Sequence, residues 1–166
     1  MAAPSVDRRA VWLFIGLLAG LGIASLWPVE QAHAVATDRD QKFALTTVES
    51  FPTAPEAVFV LDFLTGRLTG ALLNPQSGLF TNFYFRNIAA DFNNAKGKYA
   101  IIPGAGVLTS ASGATTSSGV LYIAELSSGK VVAYRYPYRN SIEPIDQVFP
   151  LEPFASFPFK EPRPNE

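Results

Sequence analysis

The sequence predicts a mainly β fold. Duplicated antiparallel meanders of three to four strands are expected to pack as a sandwich or a partly closed barrel, with a hydrophobic helix at the N-terminus. From residue 35 onwards, short apolar segments rich in β-branched and aromatic residues alternate with turn residues, which is typical of all-β domains. Residues 58–73 (VFVLDFLTGRLTGALL) also have a counterpart at 120–135 (VLYIAELSSGKVVAYR). Finally, residues 10–27 form an uncharged apolar run, enough for about five helical turns.

The two similar segments each read as a strand, an acidic residue, a short turn that ends in glycine, and a second strand. Asp62 corresponds to Glu125 and Gly66 to Gly129, at the same offset of 63 residues. A carboxylate at the start of such a turn can accept hydrogen bonds from amides two or three residues further on. Glycine can adopt the positive φ that closes the hairpin. The pattern therefore predicts that these four residues cap two equivalent turns.

Residues 1–34 are predicted to be a signal peptide or a membrane anchor. Arg8 and Arg9 precede the apolar run, and the small residues Ala32 and Ala34 follow it at the spacing of a cleavage site. Basic residues before such a run keep the N-terminus in the cytoplasm. We expect a protein that is exported across the bacterial inner membrane, periplasmic if the segment is cleaved and held at the membrane by the helix if it is not.

Residues 35–151 are expected to form one duplicated β domain. Repeat 1, about residues 41–86, contains the predicted strands 42–48, with Phe43, Leu45 and Thr47 on one face, 58–63, 67–73 and 80–86. Repeat 2, about residues 97–151, contains the predicted strands 98–102, 120–126, 130–136 and 145–151. A helical turn is expected at 88–92, and the Gly-, Ser- and Thr-rich segment 104–119 is expected to be a flexible loop.

The tail, residues 152–166, is rich in proline. Because proline has a fixed φ and no amide hydrogen, we expect an extended segment rather than a helix or a central strand. Phe154, Phe157 and Phe159 are expected to dock on the β domain.

The composition narrows the possible chemistry. The chain has no cysteine, which excludes disulfides, thiolate catalysis and Cys-ligated metal sites. Its single histidine, His33, lies in the N-terminal segment, so the β domain lacks the usual general base and the commonest transition-metal ligand. A formal net charge of −1 gives no reason to expect a nucleic-acid partner. No cofactor and no metal site are predicted.

The turn at residues 62–67 (DFLTGR) resembles the blades of quinoprotein-type β-propellers, in which a strand ending in Asp is followed by a Thr-Gly turn and a basic residue. Residues 125–130 (ELSSGK) match more loosely. The chain has two copies rather than a closed ring, so the resemblance implies no quinone cofactor. The layout as a whole is similar to that of small exported bacterial proteins with duplicated β-meanders. The two meanders either pack on each other or form adjacent blades that complete a propeller by oligomerisation.

Aromatic and basic residues at the ends of two predicted strands form the candidate binding surface. These residues are Tyr134, Arg135, Tyr136, Tyr138, Arg139, Phe83 and Arg86. Aromatic rings beside arginines suit stacking on sugars or contact with another protein. The sequence therefore predicts a non-enzymatic envelope module that binds a protein or a glycan.

Two alternatives stay open. Asp62 and Glu125, or Asp91, could act as the carboxylates of a hydrolase. The chain could also be a subunit of an oligomeric, β-propeller-like assembly.

Overall fold

The computed structural model describes residues 8–26, 37–51, 54–92, 97–106 and 117–160. The chain divides into two compact units, residues 1–33 and 34–166. The first contains the predicted N-terminal helix, α1 (Arg8–Leu26). Within the described residues, no helix is long and apolar enough to cross a membrane. The predicted cleavage site lies outside the described residues.

The second unit is mainly β, as predicted. Its elements are β1 (Thr37–Arg39), β2 (Phe43–Glu49), β3 (Glu56–Asp62), β4 (Arg67–Asn74), β5 (Leu79–Asn87), α2 (Ala89–Phe92), β6 (Tyr99–Ala105), β7 (Gly119–Glu125), β8 (Lys130–Arg135), β9 (Val148–Pro150) and β10 (Glu152–Pro158). They form a six-stranded sheet in the order β1-β2-β3-β4-β5-β9 and a four-stranded sheet in the order β10-β8-β7-β6. Neither sheet closes into a barrel within the described residues. A propeller blade has four strands, a number that the second sheet matches and the first sheet exceeds.

The predicted duplication matches the strand order up to β8. The strands of repeat 1 are β2 to β5, joined as an antiparallel meander, and the first three strands of repeat 2 are β6 to β8. The predicted helical turn is α2. The predicted loop, residues 104–119, is described only at its two ends, because residues 107–116 lie outside the described part. Residues 104 and 105 belong to β6 and residue 119 to β7, and these two strands pair with each other.

The assignment of the fourth strand of repeat 2 was wrong. Residues 145–151 contain β9, which pairs in parallel with β5 of the other sheet. The fourth strand of the second sheet is instead β10, in the tail. As an edge strand, β10 tolerates Pro153 and Pro158, because only one of its sides has to form ladder hydrogen bonds. Phe154, Phe157 and Phe159 do not dock as expected and remain 40% to 56% exposed.

The two sheets share one core that is rich in aromatic rings. The ring of Tyr136, just after β8, lies 5.0 Å from that of Phe59 and 5.1 Å from that of Tyr84, centroid to centroid. Gly70 faces Phe59 across β3 and β4, where a Cβ would collide with the phenylalanine ring. The edge-to-face geometry is the arrangement that aromatic quadrupoles favour, and it fixes the spacing of the two sheets.

On β2 the smaller side chains face this core. Phe43, Leu45 and Thr47 share one face as predicted, but it is the outer face of the sheet, and Phe43 and Leu45 are 47% and 45% exposed. The sheets approach each other closely at the C-terminal end of this strand. At Gly119 of β7, a Cβ would collide with Val48 and with the backbone oxygen of Glu49.

Candidate functional site

Two tyrosines of the predicted binding surface belong to the core. Tyr134 and Tyr136 are 0% exposed. The hydroxyl of Tyr136 donates to the carbonyl oxygen of Glu49 at 2.8 Å, and that of Tyr134 donates to Oδ2 of Asp91 at 2.9 Å. Burial raises the pKa of both phenols. The prediction that they contact a ligand is therefore wrong, because their rings fill the space between the sheets.

Arg86 is also committed to the fold. Its Nε and Nη2 donate to the two carboxylate oxygens of Asp91 at 2.7 and 2.6 Å, and its Nη1 donates to the carbonyl oxygen of Leu151 at 2.9 Å. Burial alone would raise the pKa of Asp91, but the hydrogen bonds from Arg86 and Tyr134 outweigh it and lower that pKa. The bidentate pair ties α2 to β5, and the Nη1 hydrogen bond joins β5 to the segment after β9.

Phe83 and Arg135 lie apart from the rest of the predicted surface. Phe83 is 36% exposed on the outer face of the six-stranded sheet. Arg135 pairs with Glu152 at 3.1 Å and joins β8 to β10. Both side chains of this pair are partly exposed, so the pair adds little stability.

Tyr138 and Arg139 do line a groove, together with Phe51. Its volume is about 340 Å³, and its polar lining includes Gln76 and Asn140. The rings of Phe51 and Tyr138 are nearly parallel, 11° apart, with centroids separated by 6.1 Å. We call this the Phe51–Tyr138 groove.

Buried asparagines in two strands hold one wall of the groove. The side chain of Asn82, on β5, donates to the carbonyl oxygen of Arg139 at 2.9 Å and accepts from its amide at 3.3 Å. Asn74, at the end of β4, donates to the carbonyl oxygen of Ser141 at 2.6 Å. Asparagine is depleted in strands, so its presence at both positions was the available signal, and the sequence reasoning did not use it.

The groove combines apolar and polar groups. Phe51 is 42% exposed and supplies an accessible ring face. The guanidinium of Arg139 lies 5.4 Å from the ring centroid of Phe149, which restricts where this charge can point. Ring faces, amides and a guanidinium together can bind a ligand that has C–H faces, hydroxyls and a negative group.

The turn caps are confirmed. Asp62 accepts from the amide of Leu64 at 2.8 Å and from the hydroxyl of Thr65 at 2.6 Å. Glu125 accepts from the amides of Lys98, Ser127 and Ser128 at 3.2, 3.0 and 2.6 Å. Gly66 and Gly129 have φ values of 66° and 74°.

A third turn, at residues 74–78, is capped in the same way, although Asn74 was not among the caps predicted from the sequence. Asn74 accepts from the amides of Gln76 and Ser77 at 2.8 and 3.2 Å, and Gly78 has a φ of 69°. As at the other two turns, the amide of the glycine donates to the carbonyl oxygen four residues earlier. Because Asn74 also holds Ser141, this turn shapes the groove.

The carboxylates named for a hydrolase are poorly suited to general acid catalysis. Hydrogen bonds from Thr65 and Leu64 lower the pKa of Asp62. Burial opposes ionisation of Glu125, but hydrogen bonds from Ser128 and Ser127 outweigh it and lower that pKa to about 2. A general acid at neutral pH needs a raised pKa. No cluster of three or more His, Cys, Asp or Glu side chains with metal-binding geometry occurs among the described residues.

No protein-family model, curated protein or solved structure matches this chain significantly. Its function is therefore inferred from its own side chains and their geometry.

Proposed function

We propose that this protein is an exported cell-envelope module that binds a glycan in the Phe51–Tyr138 groove without catalysing a reaction. The observation that carries the proposal is that two partly exposed aromatic rings, Arg139 and polar side chains surround one groove. The C–H faces of sugars stack on aromatic rings, and their hydroxyls exchange hydrogen bonds with amides and guanidinium groups.

The volume and charge of the groove narrow the class of glycan. About 340 Å³ is at the lower end of the range for small-ligand sites, which suits one or two sugar units of a longer chain. Arg139 favours units that carry a carboxylate. Asn82 fixes the backbone of Arg139, so little ordering is needed when the ligand binds.

The N-terminal segment supports delivery to the envelope. Arg8 and Arg9 followed by the apolar run are the features of an export signal. A periplasmic location places the groove among polysaccharides and peptidoglycan.

Purified peptidoglycan is the probe for a direct test. In a pull-down titration, we expect Tyr138→Ala and Phe51→Ala each to weaken retention about tenfold, equivalent to about 1.4 kcal/mol. Tyr122→Ala is the matched control, because Tyr122 is also partly exposed, at 40%, but lies on β7 and does not line the groove. This variant should retain wild-type binding.

Equal retention of all variants would reject the groove as the site. Tyr138-dependent capture of an envelope protein, with no retention on peptidoglycan, would replace the glycan by a protein partner. Circular dichroism of each variant shows whether a loss of binding occurs in a folded protein.

A further inference from the structure

The outer face of the six-stranded sheet carries two rows of mostly apolar side chains on β2 to β5 and β9. The exposed Asp38 of the edge strand β1 pairs in register with Leu45 and adds one carboxylate beside them. Strand register places the members of each row side by side. The Phe83 row consists of Thr47, Val58, Ala71, Phe83 and Val148, and the Phe85 row consists of Leu45, Val60, Thr69, Phe85 and Pro150.

Both rows are accessible. Leu45 is 45% exposed, Phe85 39% and Val148 54%, whereas their inward-facing neighbours Ala44 and Tyr84 are both 2% exposed. Apolar side chains that continue across five strands form a larger patch than scattered surface residues do, and such patches mark interaction sites. We propose that this face packs against the same face of a second copy of the chain.

Glutamates flank the two rows on one side and an arginine on the other, so two copies can pair opposite charges. Glu49 and Glu56 are paired in register at one end. At the other end, Arg67 extends over the face, with its guanidinium 5.4 Å from the ring centroid of Phe85. Asp62, opposite Arg67 in register, has both carboxylate oxygens engaged in its own turn.

A two-fold axis that runs between the two rows, perpendicular to the strands, accommodates both the apolar rows and the flanking charges. It lays the Phe83 row of one copy on the Phe85 row of the other, and it brings the Glu56 end of one sheet over the Arg67 end of its partner. Such an isologous contact closes at the dimer. Face-to-face sheets pack about 10 Å apart, so long side chains such as Arg67 can reach across. Glu49 and Glu56 would repel the anionic headgroups of a lipid surface, which favours a second copy over a membrane as the occupant.

The absence of cysteine from the sequence allows a position-specific test in the full chain. Thr69 lies near the proposed axis and is exposed, so Thr69→Cys should give a covalent dimer with a short bis-maleimide reagent. Tyr122→Cys, on the outer face of the other sheet, is the control and should stay monomeric. Equal yields from both variants would overturn the proposal.

The charge pattern tests the orientation. By light scattering we expect the wild-type chain to be a dimer, and we expect Glu56→Arg and Arg67→Glu each to raise the dissociation constant about tenfold. The double variant should restore most of the affinity, and a lack of rescue would overturn the two-fold arrangement.

Phe85→Lys should abolish the dimer in a folded protein. If Phe85→Lys still forms a dimer, the association belongs to another part of the chain, such as the apolar segment 10–27, and the proposed interface is wrong. A monomeric wild-type chain would reject the proposed dimer outright. Peptidoglycan retention of Phe85→Lys should match wild type if the groove acts independently of this face.

Discussion

The hydroxyl of Tyr134 donates to Oδ2 of Asp91, 2.9 Å away, and so links the four-stranded sheet to the short helix that follows β5. The same carboxylate receives two bonds from Arg86, and Nζ of Lys130 donates to the backbone oxygen of Asp91 at 3.0 Å. One residue in a single turn of helix therefore gathers groups from both sheets. Residues that the sequence suggested for ligand binding have this structural role instead.

Tyr134→Phe removes the hydroxyl while keeping the ring. Because the acceptor is a charged carboxylate, we expect the free energy of unfolding to fall by about 1.5–3 kcal/mol, measured by urea denaturation. Tyr122→Phe is the control, since its side chain is 40% exposed, and it should change stability by less than about 0.5 kcal/mol. Equal effects from the two substitutions would contradict a stabilising Tyr134–Asp91 bond.

Tyr84 and Tyr136 form a second matched pair. The buried hydroxyl of Tyr84 has no hydrogen-bond partner among the described residues, whereas that of Tyr136 donates to the oxygen of Glu49. An unsatisfied buried hydroxyl carries a desolvation cost, so Tyr84→Phe should leave stability unchanged or raise it by about 1 kcal/mol.

Tyr136→Phe should lower stability by about 1 kcal/mol. Thermal denaturation of both variants checks the difference. A larger loss for Tyr84→Phe than for Tyr136→Phe would mean that the Tyr84 hydroxyl has a partner in solution.

The lowered pKa of Glu125 predicts a loss of stability in acid. Its folded-state pKa, about 2, lies below the ordinary value of 4.5, so its contribution is complete above about pH 4.5 and disappears as the pH falls towards 2. The shift corresponds to about 3 kcal/mol. Glu125→Gln should therefore be less stable than wild type at pH 7, and the gap should narrow between pH 4.5 and 2.

Urea denaturation at a series of pH values measures this difference in the free energy of unfolding. Asp62→Asn serves as the comparison. Because the turn at Asp62 is more exposed, the difference in stability between this variant and wild type should be smaller. A gap for Glu125→Gln that stays constant with pH would show that its carboxylate does not titrate as inferred.

A substitution at Gly78 tests the positive φ of the turns without adding a steric clash. Its φ is 69° and a Cβ would meet nothing within 4 Å, so Gly78→Ala should cost about 1–2 kcal/mol from the left-handed conformation alone. Gly78→Asn should cost less, since asparagine tolerates this region. Gly129→Ala should cost more than Gly78→Ala, because a Cβ there collides with the side chain of Lys160. Chemical denaturation ranks the three variants, and an unaffected Gly78→Ala would refute the positive φ.

Local patterns in the sequence were sufficient for the strands and the turns. Alternation of apolar residues located β2 to β8 within one or two residues at most ends, and the shared spacing from Asp62 to Gly66 and from Glu125 to Gly129 predicted the caps, because hydrogen bonds within a turn involve only neighbouring residues. The N-terminal helix follows from an uninterrupted apolar run in the same way. The absence of cysteine limits the chemistry irrespective of fold.

Only the tertiary structure decided which face of each strand is buried and which strand lies beside which. Alternation shows that Phe43 and Leu45 share a face, but not that this face is the outer one, because that depends on which side the other sheet covers. The pairing of β9 with β5, and of the tail with β8, depends on contacts between distant residues, which no local pattern contains. For the same reason Tyr134 and Tyr136 looked like surface residues beside Tyr138: their burial depends on the sheet packed opposite, and the groove depends on asparagines more than fifty residues earlier in the chain.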